Sequence, residues 1–254
     1  NDGFKYVYQN IKKDVHLSSI SGGTDIVSCF VLGNIYQPVY MGEIQNKGLA
    51  LNVDILNDKG KSIKNSKGEL VCKNPFPTMP LKFWNDKNDN KFKDAYFNRF
   101  PNTWHHGDFA EIKTTRGFVI HGRSDTTLNP GGVRLGTAEI YSEVEKFKEI
   151  KESIVVGQSW DNDIRIVLFI VMNAKFFLTE DLLKKIKAQI RKNASPRHVP
   201  SKVIVVKDIP RTKSGKIVEL AVKNTIEGNN IKNEEALANP KALEQFKGLK
   251  ELSI

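Results

Sequence analysis

The sequence predicts a mixed protein, α/β and α+β, in two parts, and three observations carry that reading. From Ala50 to Gly122, short apolar runs (LNVDIL, GELVC, GFVIHG) alternate with turn residues, the spacing of a small antiparallel sheet or barrel. After Asp125 the text changes to two longer apolar runs, IKESIVVGQSW and DIRIVLFIVMN, then an amphipathic segment, TEDLLKKIKAQIRK, then SKVIVVKDIP. That alternation predicts a compact α+β domain of roughly 100 residues. Between the halves lies HGRSDTTLNPGGVRLGTAEI, from His121 to Ile140: a charged turn, the pair Gly131-Gly132 and a helix start. The expected division is therefore 1–124 and 125–254.

In order, Phe4, Val7, Tyr8 and Ile11 recur at helical spacing. LSSISGGTDIVSCF reads as a short strand, a glycine turn at Gly22-Gly23, then a hydroxyl and a carboxylate at Thr24-Asp25. Glycines there let backbone approach a ligand, although such a tetrad is most often only a turn. KNPFPTMPL holds three prolines and is expected as an extended surface loop. WHHGDFAEI centres on Gly107-Asp108; a carboxylate suits vicinal hydroxyls because each oxygen accepts one hydrogen bond. His105 and His106 invite a reading as bases or metal ligands, but neighbours on a strand point to opposite faces. Thr137 is expected as the N-cap of the next helix, with Glu139 in its first turn. Thr179 should cap the amphipathic helix over Leu182, Leu183, Ile186 and Ile190. Lys216 follows a Ser-Gly turn in PRTKSGKIVELAVK, at an exposed loop tip. NEEALANPKALEQFKGLKEL is expected to pack as a short surface helix.

A net charge of +10 fits either a polyanion binder or a lysine-rich solvated surface. Lysine is scattered throughout and the aromatics sit at apolar periodic positions, so nucleic acid is not an expected partner. There is no apolar run of about 18 residues or more, and hence no expected membrane span. Cys29 and Cys72 are expected as buried free thiols, which suits a cytoplasmic protein.

Taken in order, GGTD, HHGD, GRSD, NPGGVRLGTAEI and PRTKSGK resemble the motifs of the adenylate-forming acyl-CoA synthetases, over nearly the whole chain. The resemblance implies ATP, Mg2+ and CoA, and residues 1–124 as the C-terminal part of a large AMP-binding domain. Residues 125–254 would be a lid that rotates about Asp125. Lys216 would bridge carboxylate and phosphate during adenylation. Thr24 would contact phosphate, Asp25 would help hold magnesium, and Asp108 and Arg123 would hold the ribose. Arg134 would meet the AMP phosphate, Gly132 would line the pantetheine tunnel and Arg191 would meet the 3′-phosphate of CoA. The wording of GRSDTTLNPGGVRLGTAEIYSEVE and NPKALEQF is nearest to members acting on acetoacetate. Gly22 and Gly23 stand where acetate-specific members carry a tryptophan, which implies an acyl pocket opened by the missing indole. The family's glycine-rich phosphate loop has no counterpart, so the chain alone is expected to be part of a longer enzyme and to hold nucleotide poorly. A non-catalytic nucleotide- or CoA-binding module, or a synthetase for another short acid, is the alternative.

Overall fold

The computed structural model describes residues 2–231 and 234–253. The chain divides into two compact units, Asn1–Ser124 and Asp125–Ile254.

The first unit begins with helix α1 (Asp2–Tyr6), continued by a wide turn over Val7–Ile11 without a buried residue. Strands β1 (Ser21–Gly23), β2 (Ser28–Leu32) and β3 (Asn46–Lys47) form a small antiparallel sheet in that order. Gly22 and Gly23 thus lie in β1, and Thr24 to Val27 make the turn, so the expected glycine turn is displaced by two residues. A second sheet is an antiparallel meander of β4 (Val53–Leu56), β5 (Lys67–Cys72), β6 (Trp104–Ile112) and β7 (Phe118–Arg123). Strands alternate faces, and Trp104, Ala110 and Ile112 point into a core with Phe30, Ile55, Leu70 and Phe118. The proline-rich stretch is a loop, and its Phe76 packs edge-on against Phe30 and Trp104 at 5.5 and 5.3 Å. Between β5 and β6 lies a helix the sequence reading did not foresee, α2 (Asn90–Tyr96). Asp86 starts it, accepting hydrogen bonds from the Lys91 and Phe92 amides.

In the second unit β8 (Ile150–Trp160) and β9 (Asp163–Met172) form a long antiparallel hairpin. Its two connecting residues, Asp161 and Asn162, both have positive φ, 50° and 60°, the twist that matches two-residue hairpins. Strand β10 (Lys202–Val205) lies parallel to β9 after the crossover helix α4 (Glu180–Asn193). The sheet is covered on both faces, so β9 is a continuous apolar run rather than an alternating one. Ile166, Leu168 and Ile170 face α3 (Thr137–Val144) and α4, while Val167, Phe169 and Val171 face α5 (Glu219–Ile226) and the tail.

Thr179 caps α4 through its hydroxyl (Leu182 N, 3.2 Å), and Leu182, Ile186 and Ile190 form the buried face. Leu183 is only half-buried. Helix α3 starts one residue earlier than expected: Gly136 is its N-cap, Thr137 is buried in the first turn, and the Glu139 carboxylate accepts from the Gly136 amide. The tail corrects the sequence reading more strongly. Phe246 is fully buried, meets Phe169 edge-on at 4.9 Å, and lies with Leu243 and Leu252 inside the core. The Leu252 carbonyl accepts from Arg165 at 2.6 Å and Gln158 at 3.3 Å, and the Arg165 guanidinium lies 3.6 Å from the Trp160 ring centroid. The tail supplies one face of the sheet, and a surface helix could not cover it.

Candidate active site

Strand β6 positions the polar cluster of the first unit. Period-two alternation puts Trp104, His106 and Asp108 on one face, and His105 on the other, against Glu69 at 2.8 Å. Asp108 pairs in register with Arg123 on β7, whose guanidinium donates to Asp108 Oδ1 (3.1 Å) and the His106 carbonyl (2.9 Å). Gly107 makes this approach feasible. Its φ is +82°, and a Cβ there would stand 2.6 Å from Arg123 Nη2.

His106 is buried at the centre of the cluster. Its Nδ1 accepts from the Trp104 indole at 3.3 Å, and its Nε2 lies 3.9 Å from Asp108 Oδ2. Burial pushes the imidazole below its ordinary range, against the pull of the Asp108 and Asp25 carboxylates. The indole N–H on Nδ1 leaves the ring proton on Nε2, which faces the Gly22 backbone. Asp25 sits in the exposed β1–β2 turn beside this ring. One position on Gly23, where a Cβ would be, is 2.3 Å from Asp25 Oδ1 and 2.6 Å from His106 Cε1. The other Asp25 oxygen accepts from Tyr96 of α2 at 2.5 Å. Asp25, Asp108 and Arg123, read from three separate motifs, are therefore one contiguous cluster. Tyr96 and His106 complete it. Phe92 and Tyr96, four residues apart and preceded by Asp86, were the legible sign of α2.

The glycines of β1 do not open a side-chain volume. A Cβ on Gly22 would meet the Ser28 carbonyl oxygen at 2.0 Å and the Cys29 Cα at 2.6 Å, so it points into β2. An indole could not occupy that direction, and the expected pocket vacated by tryptophan is not what this backbone provides. Glycine is required at 22 and 23 by close approach of strand, carboxylate and imidazole.

A buried carboxylate supports the end of the unit. Glu69, fully buried, binds Arg99 at 2.9 Å and His105, and accepts from the Ser124 hydroxyl. Arg99 reaches Asp58 as well, at 2.6 Å. Arg123 and Asp125 flank the residue so held.

In the second unit Lys216 stands at the end of a closed turn. The Thr212 amide donates to the Lys216 carbonyl (2.9 Å), and the Lys216 amide donates to the Thr212 hydroxyl (3.0 Å). Gly215 has a φ of +85°, and its carbonyl accepts from Arg211, which also binds Glu152 at 2.9 Å. Thr212, Ser214 and Gly215 of the Pro-x-Thr-x-Ser-Gly-Lys wording thus shape the loop, and the lysine itself is exposed. No hydrogen bond or ion pair within the described residues holds its ammonium. Arg191 is exposed in the last turn of α4. Arg134 is half-buried, with Nη2 3.4 Å from the Thr127 hydroxyl. The Gly131 amide donates to both Asp163 oxygens at 2.9 Å, which fixes the turn presenting Gly132. Gly132 borders an open groove of ≈ 670 Å³ with Asn129, Trp160 and Ile164. Asp125 is exposed and borders a narrow cleft with Thr127, Gly157 and Glu219. These second-unit groups stand in separate surroundings.

Among the described residues no group of three or more His, Cys, Asp or Glu could hold a metal by itself. Asp25 is a single hard-oxygen donor beside the Thr24 hydroxyl. That set fits Mg2+, which keeps several waters and is usually shared between one or two carboxylates and substrate phosphates. No helix among the described residues is long and apolar enough to cross a membrane.

Residues 139–216 match the family described as AMP-binding enzyme C-terminal domain. That segment is shared with the AMP-binding enzymes. Over nearly its whole length the chain is similar to acetoacetyl-CoA synthetases. It is 60% identical to the acetoacetyl-coenzyme A synthetase of Rhizobium meliloti (strain 1021) over 99% of this chain and 39% of that protein. It is 45% identical to the mouse (Mus musculus) protein over 98% of this chain and 37% of that one. The solved acetoacetyl-CoA synthetase from Streptomyces lividans superposes on all of this chain, and 39% of its own, with a TM-score of 0.91 at 37% identity. The chain therefore spans about two fifths of the length of these relatives.

Proposed function

We propose that this chain supplies the ribose-binding and metal-binding edge and the lysine-bearing unit of an AMP-forming acetoacetate–CoA ligase of the relatives' full length. The observation that carries the reading is the 60% identity to an acetoacetyl-coenzyme A synthetase across 99% of this chain. Acetoacetate attacks the α-phosphate of ATP, giving acetoacetyl-adenylate and pyrophosphate. The thiol of CoA then displaces AMP and yields acetoacetyl-CoA. A carboxylate cannot react with a thiol directly at neutral pH, because hydroxide is a poor leaving group.

Asp108 accepts from the ribose hydroxyls, and Arg123, locked to it, fixes the direction of that carboxylate. Thr24 and Asp25 hold the phosphate end; Mg2+ when bound supplies charge neutralisation there. Lys216 brings its ammonium to the oxygen shared by the attacking carboxylate and the α-phosphate, where positioning and charge stabilisation set the rate. Arg134 takes the AMP phosphate during thiolation. Gly132 borders the pantetheine path, and Arg191 binds the 3′-phosphate of CoA. Asp125 is the pivot of the lid, residues 125–254, against the AMP-binding part, residues 1–124. On this reading the enzyme is cytoplasmic, and its small-molecule partners are acetoacetate, ATP and CoA.

Lys216→Ala in the full-length enzyme tests it. Acetoacetate-dependent pyrophosphate exchange should be lost, while thiolation of preformed acetoacetyl-adenylate persists. Equal loss of both half-reactions would overturn the assignment of Lys216. Equal exchange rates with butyrate and acetoacetate would overturn the substrate.

A further inference from the structure

We propose that Tyr96 is a positioning residue that sets the orientation of the Asp25 carboxylate, through an aromatic brace that ends on His106. The inference rests on the reading of Asp25 as a magnesium-holding group and adds the device that aims it. Asp25 lies on an exposed turn, where a short side chain would otherwise rotate freely about χ1 and χ2. Here both of its oxygens are placed. Oδ2 accepts from the Tyr96 hydroxyl, and Oδ1 lies over Gly23, in space that only a glycine leaves open.

Tyr96 is itself fixed. Its ring stacks on Trp104 with centroids 3.7 Å apart and planes 14° from parallel. Phe83 and Phe92 meet it edge-on at 5.7 and 5.5 Å. Trp104 is fully buried, and its indole N–H ends on His106 Nδ1. That bond fixes the His106 tautomer, and the ring edge then faces Asp25 and Asp108. Phenol, indole and imidazole thus stand in one connected row beside the turn, and the phenol hydroxyl joins that row to the carboxylate. One bond, from Tyr96 to Asp25, crosses from α2 to the loop.

Such a brace lowers the ordering that metal binding must otherwise impose on Asp25. Helix α2, seven residues long and packed on the core through Phe92, carries the hydroxyl that reaches the turn. The phenol holds one oxygen and leaves the other for the cation.

The test uses the full-length enzyme with Tyr96→Phe, which keeps the ring on Trp104 and deletes only the hydroxyl. Tyr96→Leu, Asp25→Asn and the double variant Tyr96→Phe/Asp25→Asn complete the set. Mn2+ bound in the presence of a non-hydrolysable ATP analogue is read by electron paramagnetic resonance. Mg2+ dependence of pyrophosphate exchange, thiolation of preformed adenylate and the melting temperature are read beside it. Tyr96→Phe should weaken metal binding about tenfold, the scale of one hydrogen bond to a charged group, and leave melting and thiolation unchanged. Exchange at saturating Mg2+ should stay within about twofold, since the loss is in binding rather than chemistry. In the Asp25→Asn background Tyr96→Phe should have no further effect on metal binding, because its action passes through that carboxylate. Tyr96→Leu should weaken metal binding at least as much and lower melting as well. Native metal affinity in Tyr96→Phe beside a weakened Asp25→Asn would overturn the brace and leave the Asp25 reading standing. Native affinity in Asp25→Asn would remove the reading and the brace together.

Discussion

Gly22→Ala separates a glycine needed for a pocket from one needed for backbone approach. The added methyl would lie 2.0 Å from the Ser28 carbonyl oxygen, 2.6 Å from the Cys29 Cα and 2.9 Å from the Ser28 carbonyl carbon. All three obstacles are backbone, so no rotamer change relieves them. Strand β1 must move by about 1 Å or more for the contacts to reach van der Waals distance. It is an edge strand of three residues paired with β2, so the hairpin opens rather than the core. Replacing glycine gains about 0.4–1 kcal/mol by restricting the unfolded chain, while overpacking of this kind costs about 1–3 kcal/mol. Strain therefore prevails, and the variant is destabilised by about 1–2 kcal/mol. The functional cost is larger, because Thr24 and Asp25 follow directly and a 1 Å misplacement of a binding group can cost about a hundredfold in rate. Acetoacetate-dependent pyrophosphate exchange and thermal melting of the full-length enzyme measure the two effects. Gly22→Trp should lose exchange with acetoacetate, butyrate and acetate alike. A Gly22→Trp enzyme that melts normally and prefers acetate would refute the reasoning and restore the vacated-indole pocket.

Arg191→Ala should weaken CoA binding by about 1.5–3 kcal/mol and leave ATP and dephospho-CoA binding nearly unchanged, as titration calorimetry would show. An equal loss for dephospho-CoA would remove the 3′-phosphate from that site. Gly107→Ala meets both a positive φ and the Arg123 guanidinium, so it should cost about 1–2 kcal/mol of stability and raise the KM for ATP. Melting curves and exchange kinetics check both halves. Glu143 ties α3 to α4: its carboxylate accepts from Lys146 at 2.7 Å, Gln189 at 2.9 Å and Asn193 at 2.8 Å. Burial alone would raise its pKa, but Asn193, Lys146 and Gln189 together hold it below the ordinary value. Stability from a depressed carboxyl is complete above the unfolded value of about 4.5 and is lost as pH falls through the folded one. Glu143→Gln should accordingly melt earlier at pH 7, with the difference shrinking below about pH 4.5.

The second unit was the more legible half because its signals are local. The β8 and β9 runs, the two-residue Asp161-Asn162 connection and the capped periodicity of α4 are each written within a few consecutive residues. Covering both faces of a sheet leaves a strand that is apolar throughout, and β9 shows it. The closed turn around Lys216 was equally readable, since Thr212, Ser214 and Gly215 bond among themselves and to Lys216.

What the sequence could not decide was every question settled by partners far away in the chain. Whether Phe246 lay outside or in the core depended on Phe169, 77 positions earlier, needing a cover. The direction of Gly22 depended on the register of β2, which periodicity does not encode. The N-cap of α3 moved by one residue because Glu139 could satisfy the Gly136 amide while Thr137 was drawn into the core. The motifs named Asp25, Asp108 and Arg123 one by one, and β6–β7 pairing joined the last two into one hand. Tyr96 belongs to no motif read from the sequence, and His106, though inside HHGD, has no role assigned by that motif. They matter because stacking on Trp104 and burial beneath the β1–β2 turn carry them to Asp25. Sequence by itself determined which strands and helices form and which residues bear the chemistry, because those follow from patterns within one element. Only the tertiary structure decided what faces what, because a side chain's neighbours are fixed by packing across elements that the chain brings together from a distance.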